Sequence, residues 1–362
     1  MLHDEVVMKK YRWGTHKIVQ ETPDAVSIYF DTAQQPISYL PGQYLNLRCL
    51  IDGEMVIRSY SFSSHPTEEF PSITIKRVEG GKMSTYLLSQ ASQMEWWDVD
   101  APFGTFCIDE QASSRPLVLL AGGSGISPLF SMLKSSRVST VVPLLIYANK
   151  SPEETIFWND LEALQTTGQA QAYYSFSKPD FATSDNRYKI GRFSEAVLYE
   201  LLEQHPLHVN GADFYICGPM GLIELYQSVL MRFGVDPAKI HTEFFDPHPE
   251  AQAVVSDDGI VKDVLVHYMD DTYFNDELHS YQCTSLIEVQ GGQSLLEAMQ
   301  HHSIKVPSSC KNGTCGVCWA VKTQGSVQMI NNHTLTERDI EEGIVLLCQS
   351  YPLDQEVTIS LG

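Results

Sequence analysis

The chain contains the stretch Cys310-Lys-Asn-Gly-Thr-Cys315-Gly-Val-Cys318, and a fourth cysteine, Cys348, follows in Leu-Leu-Cys-Gln-Ser. This C-x4-C-x2-C…C spacing is the arrangement that holds a [2Fe–2S] cluster. Two irons need four thiolates, so one tight loop supplies three and a distant strand end supplies the fourth. Because such a cluster moves one electron at a time, the four cysteines are predicted to be metal ligands in an electron-transfer path.

A zinc site or four unrelated buried thiols are the alternatives. Zinc sites usually combine two short C-x2-C-like steps, whereas the first step here has four intervening residues. Gly313 and Gly316 favour a loop that bends freely and brings backbone N–H groups toward the sulfurs. With Ser308-Ser309 before the loop and Leu-Leu-Cys-Gln at its end, the segment resembles the plant-type ferredoxin family.

Length and composition set the general class. A chain of 362 residues predicts two or three domains, and 43% hydrophobic residues suffice for real cores. A net charge of −21 argues against nucleic acid or an anionic membrane surface as a partner. The apolar runs are too short to span a bilayer, and the N-terminus lacks the layout of a signal peptide. The other four cysteines are scattered and are expected to be reduced thiols of a cytoplasmic protein.

Three segments follow one another along the chain. Residues 1–112 contain short β-branched runs separated by turn residues, which predicts an antiparallel β-barrel. Residues 113–247 alternate strand and helix, which predicts a parallel α/β sheet. Its first helix is expected to begin with Ser127 as N-cap and Pro128 at the first helical position, and its second to cover Glu153–Leu164.

Residues 248–258 are predicted to be a linker, and residues 259–362 to form the α+β (β-grasp) fold that the resemblance to ferredoxins implies. A helix is expected at Ser294–His301. The stretch Asp270–Gln282 is long for the hairpin of a compact ferredoxin, and the sequence assigns it no role.

In the first segment, Arg58-Ser59-Tyr60-Ser61 is predicted to lie on a strand, and Gly80-Gly81-Lys82-Met83-Ser84-Thr85 to open a helix. A flavin dinucleotide needs a flat partner for its ring, cations and N–H groups for its diphosphate, and a hydrogen bond near N5. Tyr60 can stack on the ring, Arg58 can hold the diphosphate and Ser61 can donate toward N5. The glycines and Ser84 provide a helix N-terminus for phosphate. The alternative is a tyrosine of the barrel core and a simple Gly-Gly turn.

In the second segment, Ala121-Gly122-Gly123-Ser124-Gly125-Ile126-Ser127-Pro128 follows a strand and opens a helix, which is the context of a dinucleotide-phosphate loop. It is not the usual G-x-G-x-x-G. A second strand-to-helix turn carries Cys217-Gly218-Pro219-Met220, in which Cys217 could also be an ordinary buried small residue.

These motifs together resemble those of the ferredoxin–NADP reductase family: RxYS and a glycine-rich turn for flavin, GGTGITP with serines at positions 124 and 127, and CGPxxM. The resemblance implies bound FAD or, less often, FMN, and NAD(P)H as co-substrate, with Cys217 beside the nicotinamide C4. His241-Thr-Glu243-Phe-Phe245 resembles the signature HxERF of that family, with Phe244 in place of Arg. It implies that Glu243 and Phe245 lie near the contact of the two cofactors, although Glu243 could equally be a surface carboxylate.

The choice between NADH and NADPH depends on the adenosine end. A 2′-phosphate needs a cation, whereas a bare ribose often pairs with an acid. Ser177, Lys178 and Arg192 lie at positions that the reductase family uses there, and Lys178 favours NADPH weakly.

The order of flavin, nicotinamide and ferredoxin segments is similar to that of reductase components of bacterial ring-hydroxylating and ring-epoxidising oxygenases, and of hybrid-cluster-protein reductases. It implies an NAD(P)H-dependent enzyme that passes electrons through FAD and the cluster to a protein acceptor, an oxygenase component in the first place. A hybrid-cluster or haem protein as acceptor, direct reduction of ferric ion or a quinone, and a zinc-stabilised nucleotide-binding module remain alternatives.

Overall fold

The computed structural model describes residues 10–33, 35, 37–108, 115–135, 141–178, 185–245, 259–274 and 277–361. The chain divides into two compact units, of which the larger comprises Lys10–Pro102 and Phe106–Asp246. The smaller unit includes residues 103–105, 259–274 and 277–361. The predicted linker 248–258 lies outside the described residues, and the predicted domain boundaries stay predictions.

The first part of the larger unit is a six-stranded antiparallel sheet that curls on itself. Its elements are β1 (Lys10–Thr22), β2 (Ala25–Asp31), β3 (Tyr44–Ile51), β4 (Glu54–Ser61), β5 (Ser72–Lys76), α1 (Lys82–Gln90) and β6 (Trp96–Phe103). The strand order is β4-β3-β6-β1-β2-β5, and a bridge between Phe62 and Ile73 joins its two ends. The buried rings of Trp13, Phe30 and Trp97 fill the interior, as expected for a small barrel.

The second part is a six-stranded parallel sheet with helices on both faces. Its elements are β7 (Leu117–Gly122), α2 (Ile126–Ser135), β8 (Leu144–Asn149), α3 (Trp158–Thr166), β9 (Gln171–Phe176), β10 (Tyr188–Ile190), α4 (Glu195–Gln204), α5 (Pro206–Val209), β11 (Asp213–Cys217), α6 (Met220–Phe233) and β12 (Ile240–Glu243). The order is β10-β9-β8-β7-β11-β12, so the direction of winding reverses between β7 and β11. The strands are buried on both sides, which explains their continuous apolar runs.

Two predicted helix starts in this part were wrong. The turn Gly123–Gly125 leads straight into α2 at Ile126, so Ser127 lies inside the helix and its Oγ donates to the Ser124 carbonyl at 3.1 Å. The helix expected from Glu153 begins only at Trp158, because Phe157 has a φ of 61° that interrupts it. The Phe157 ring stacks on Phe130 at 4.1 Å, so packing overrides helix propensity here.

The smaller unit has a mixed five-stranded sheet crossed by one helix, the β-grasp fold expected from the ferredoxin resemblance. Its elements are β13 (Lys262–Phe274), β14 (Glu277–Val289), α7 (Leu295–His301), β15 (Trp319–Gln324), β16 (Val327–Met329), α8 (Glu337–Glu341), β17 (Ile344–Leu346), β18 (Ser350–Pro352) and β19 (Glu356–Ser360). The order is β14-β13-β19-β15-β17, with β13 parallel to β19. Of the stretch Asp270–Gln282, residues 270–274 and 277–282 form the outer half of a ribbon that pairs from Lys262↔Val289 to Phe274↔Glu277. Among the described residues, no helix is long and apolar enough to cross a membrane.

Candidate functional site

The four predicted metal ligands of the smaller unit lie together as two pairs of thiols. Cys310 accepts a hydrogen bond from Cys315, and Cys348 accepts one from Cys318; these bonds are the largest contributions that lower the pKa of Cys310 and of Cys348. Cys315, Cys318 and Cys348 are buried, and Cys310 is half-buried. Each pair can supply two thiolates to one iron, as a two-iron cluster requires.

The same arrangement argues against the zinc alternative. A structural zinc ion needs about four ligands around one point. The four thiols instead lie as two pairs, Cys310 with Cys315 and Cys348 with Cys318. The donor set therefore fits a cluster that extends over two metal atoms better than one tetrahedral ion.

The shape of the cysteine loop is fixed by its backbone conformation and by contacts of that backbone with residues 331–334. Gly313 has a φ of 83°, and a Cβ there would lie 2.4 Å from the Asn331 carbonyl oxygen, so no side chain fits. The Gly313 carbonyl accepts from the His333 backbone N–H and from the Thr334 hydroxyl, both at 3.1 Å. The Asn312 N–H points at the Cys310 sulfur at 3.5 Å. Such N–H groups stabilise negative charge on the sulfurs of a bound cluster.

In the larger unit, the two predicted nicotinamide motifs meet where the sheet reverses its winding. The loop 122–128 follows β7, and the turn that contains Cys217 and Gly218 follows β11; these strands are neighbours with Cys217 opposite Ala121. Ligands of doubly wound sheets bind outside the carboxyl ends of strands at this point. The approach is close, because a Cβ on Gly125 would lie 2.2 Å from the Cys217 carbonyl oxygen. The other members of the second turn are Pro219, the N-cap of α6, and Met220, its first residue.

Three residues predicted from separate motifs converge at this place. Cys217 pairs in register with Glu243 of β12, and the Ser61 hydroxyl at the end of β4 lies close enough to the Glu243 carboxyl to lower its pKa. Residue Glu243 as a whole is half-buried, but its Oε2 is buried and has no hydrogen-bond partner among the described residues. An orphaned buried carboxylate oxygen beside a serine and a cysteine is a polar site that a ligand group can complete.

Burial dominates the electrostatics of this site. It raises the pKa of Glu243 to about 8, against a smaller opposing effect of the Ser61 hydroxyl. Burial also raises the pKa of the Cys217 thiol, and the neighbouring Glu243 adds to that shift. Cys217 is therefore a neutral thiol at pH 7 and acts by shape and position rather than as a thiolate nucleophile.

The raised pKa of Glu243 predicts a pH-dependent stability. An unfolded glutamate releases its proton near pH 4.3 and the folded one near pH 8, so between these values the folded state binds more protons. The free energy of unfolding should therefore fall as pH rises through this window. Since one unit of pKa difference is about 1.4 kcal/mol, the change attributable to Glu243 is on the order of a few kcal/mol.

Urea unfolding of the wild type and of Glu243→Gln at pH 5 and pH 9 checks this. Relative to the wild type, Glu243→Gln should gain stability at the higher pH. Glu200→Gln, a change of an exposed helix carboxylate in the same unit, is the matched control. A pH dependence that is the same in all three proteins would contradict the assignment.

The predicted flavin residues lie on β4 and at the start of α1. Arg58 is exposed and Tyr60 half-buried on β4, where Ser59 donates to Asn46 at 2.7 Å. At the helix start, Gly81 is the N-cap without a side-chain cap, so N–H groups there stay available to phosphate. Two of the remaining members make polar contacts: the Ser84 hydroxyl accepts from the Val78 N–H at 3.0 Å, and Lys82 pairs with Glu54 at 2.7 Å. Met83 is buried in the barrel core, and Thr85 is exposed.

The predicted adenosine residues follow β9 and β10. Lys178 pairs with Glu154, which also pairs with Lys150 at 3.4 Å. Ser177 follows β9 directly, and Arg192 is exposed just after β10. Sequence reasoning missed Glu154, because a glutamate in a Pro-Glu-Glu turn carries no motif. Phe245, predicted near the cofactor contact, is 47% exposed.

Comparisons with known proteins show which family each segment of the chain belongs to. Residues 15–108 match the family described as an oxidoreductase FAD-binding domain, residues 119–228 an oxidoreductase NAD-binding domain, and residues 282–353 a 2Fe-2S iron-sulfur cluster binding domain. The ferredoxin reductase component of 3-ketosteroid-9-alpha-monooxygenase from Mycolicibacterium smegmatis is 31% identical over 361 residues, 95% of each chain. The glycine betaine monooxygenase reductase subunit of Pseudomonas aeruginosa is 29% identical over 93% of this chain and 91% of its own.

Among solved structures, phthalate dioxygenase reductase is similar over 97% of this chain and 98% of its own, with 21% identity and a TM-score of 0.54. The chain belongs to the ferredoxin–NADP reductase superfamily, in the group of flavoprotein reductases that carry a C-terminal plant-type [2Fe–2S] domain. It is an oxidoreductase that uses NAD(P)H, FAD and a [2Fe–2S] cluster to deliver electrons to a protein acceptor.

Proposed function

We propose that this reductase serves an oxygenase component, with Ser61, Cys217 and Glu243 at the hydride-transfer site and the four paired cysteines as cluster ligands. The observation that carries the residue assignment is the convergence of a barrel residue and two strand ends of the parallel sheet on one buried polar position. These motifs are far apart in sequence and come together here, as a site shared by a flavin and a nicotinamide requires.

Each residue has a task that follows from its surroundings. The flavin supplies the chemistry of taking a hydride and releasing electrons singly, which nicotinamide cannot do. The Ser61 hydroxyl at the end of β4 can donate a hydrogen bond to a bound flavin, and Glu243, whose pKa burial raises to about 8, holds a proton at pH 7. Cys217 and Gly125 shape the floor against which a nicotinamide ring lies, so their contribution to rate is alignment.

Support for an oxygenase acceptor comes from the relatives, which are named as reductase components of monooxygenases. The net charge of −21 favours an acceptor with a basic docking face over a nucleic acid. The absence of a candidate membrane helix among the described residues fits the cytoplasmic location that we propose. If the physiological acceptor is a hybrid-cluster protein, a haem protein or a small oxidant, the reductase should transfer electrons to it faster than to an oxygenase.

The order of reduction tests the function. Anaerobic mixing of the full-length holoprotein with NADH or NADPH should bleach the flavin absorbance first and the cluster absorbance afterwards. Because the hydride enters only at the flavin, no cluster reduction should occur in flavin-depleted protein. The enzyme is then supplied with purified terminal oxygenases for glycine betaine and 3-ketosteroids. It should oxidise NAD(P)H with product formation by one of them faster than it reduces cytochrome c alone. Cluster reduction that precedes flavin reduction would contradict the path.

A further inference from the structure

The hydroxyl of Tyr147 is bonded to the backbone of the predicted nicotinamide loop. Tyr147 lies in β8, in register with Ala121 at the end of β7, and its side chain is fully buried. Its Oη–H donates to the Gly123 carbonyl oxygen at 2.8 Å. Gly123 opens the turn Gly123–Gly125 with a φ of +53°. The bond therefore helps to fix the orientation of the Gly123–Ser124 peptide unit from the side of the sheet.

The orientation of that peptide unit has a consequence for ligand binding. The carbonyl of Gly123 and the N–H of Ser124 belong to the same planar trans peptide and point in opposite directions. Since Tyr147 draws the carbonyl toward the sheet, the Ser124 N–H is directed to the opposite side of the loop. Backbone N–H groups at such a strand-to-helix turn are the donors that bind diphosphate groups.

Two neighbouring side chains, Asn149 and Tyr174, help to show that the bond to the loop is particular to the Tyr147 hydroxyl. Burial raises the pKa of Tyr147, so the hydroxyl stays a proton donor, and the Asn149 amide opposes this shift by interacting with the hydroxyl. Asn149 Nδ2 makes no hydrogen bond of normal geometry among the described residues, so its interaction with the hydroxyl is weaker than the bond to Gly123. Tyr174 is the register partner of Tyr147 on β9 and equally buried, yet its hydroxyl lies near Glu162 and makes no hydrogen bond to the loop.

We propose that Tyr147 is a positioning residue for the diphosphate of NAD(P)H, acting through the Gly123–Ser124 peptide. This role rests on the proposed function, in which the loop 122–128 binds the dinucleotide. Tyr147 does not touch the dinucleotide itself. It sets the direction of a backbone donor that does.

Tyr147→Phe in the flavin-loaded full chain tests the proposal. The concentration dependence of anaerobic flavin reduction gives the dissociation constants for NADH and NADPH and the limiting rate. We expect the dissociation constant of the preferred dinucleotide to rise about five- to tenfold, since one hydrogen bond of net 1–1.5 kcal/mol is lost. The limiting rate should change less than about twofold, because the Cys217 side of the site is intact. Competition by ADP-ribose, which carries the diphosphate, should weaken equally, whereas competition by adenosine should not change.

Tyr174→Phe is the matched control, since it removes a hydroxyl from the same buried layer without releasing the loop. Asn149→Ala should weaken ADP-ribose by a smaller factor and serves if Tyr147→Phe folds poorly. Unchanged ADP-ribose affinity in both Tyr147→Phe and Asn149→Ala, or an equal loss in Tyr174→Phe, overturns the proposal. If neither dinucleotide reduces the wild-type flavin, the proposed function is wrong instead, so the two failures are distinct.

Discussion

Cys315→Ser is expected to remove the iron–sulfur cluster and to reduce electron delivery to the physiological acceptor to background. Cys315 is buried and forms one of the two thiol pairs with Cys310. Serine keeps the shape of the side chain but is a poor ligand for iron, so one iron would keep a single protein thiolate. Iron content should fall from about two per chain toward zero, because a two-iron cluster needs all four ligands. Flavin content and flavin reduction by NAD(P)H should remain, since those residues belong to the larger unit.

Cys283→Ser is the control for this change. Cys283 is a half-buried cysteine of the same unit that lies on β14 and outside the two thiol pairs. Iron analysis, visible absorbance and electron paramagnetic resonance of the dithionite-reduced protein separate the two variants. Full iron content in Cys315→Ser, or stoichiometric zinc in the wild type, would show that the ligand assignment is wrong.

Gly125→Ala is expected to have the second large effect, on hydride transfer. The added Cβ would lie 2.2 Å from the Cys217 carbonyl oxygen and 2.7 Å from the Gly218 backbone nitrogen, so backbone must move. Displacement of the loop by about 1 Å can cost about a hundredfold in rate, because the reacting groups lose their alignment. The overpacking itself should lower the free energy of unfolding by about 1–3 kcal/mol. Stopped-flow flavin reduction and urea unfolding measure the two effects.

Gly221→Ala provides the comparison for Gly125→Ala. Gly221 lies in the first turn of α6, and a Cβ there would meet nothing within 4 Å. This variant should keep wild-type flavin reduction and gain a little stability, since alanine favours helix over glycine by up to about 1 kcal/mol. Wild-type hydride transfer in Gly125→Ala would show that the close approach to Cys217 does not shape the nicotinamide site.

Secondary structure was predictable where local pattern and packing agree. Asp213–Cys217 is a strand as predicted, because a fully buried parallel strand is a continuous apolar run. Ser294 caps α7 with a reciprocal bond to Glu297, which is a purely local signal. In contrast, β1 has mostly polar, half-exposed residues, so no apolar pattern marks it, and β12 is a four-residue strand that only its neighbour β11 stabilises.

The sequence by itself determined the chemistry at the two ends of the electron-transfer path. The cluster end has four cysteines at cluster spacing, and the nicotinamide end has two glycine-containing turns after buried strands. Such motifs are readable because their function needs neighbours in sequence, such as three thiolates on one loop or N–H groups at one turn. Only the tertiary structure decided that the Glu243 carboxyl lies buried next to Ser61, and that the Tyr147 hydroxyl bonds to the nicotinamide loop. Both contacts join residues of different strands, and one-residue changes in register would break them. Their strength depends on burial from water, which packing of the whole unit creates and which no local stretch of sequence encodes.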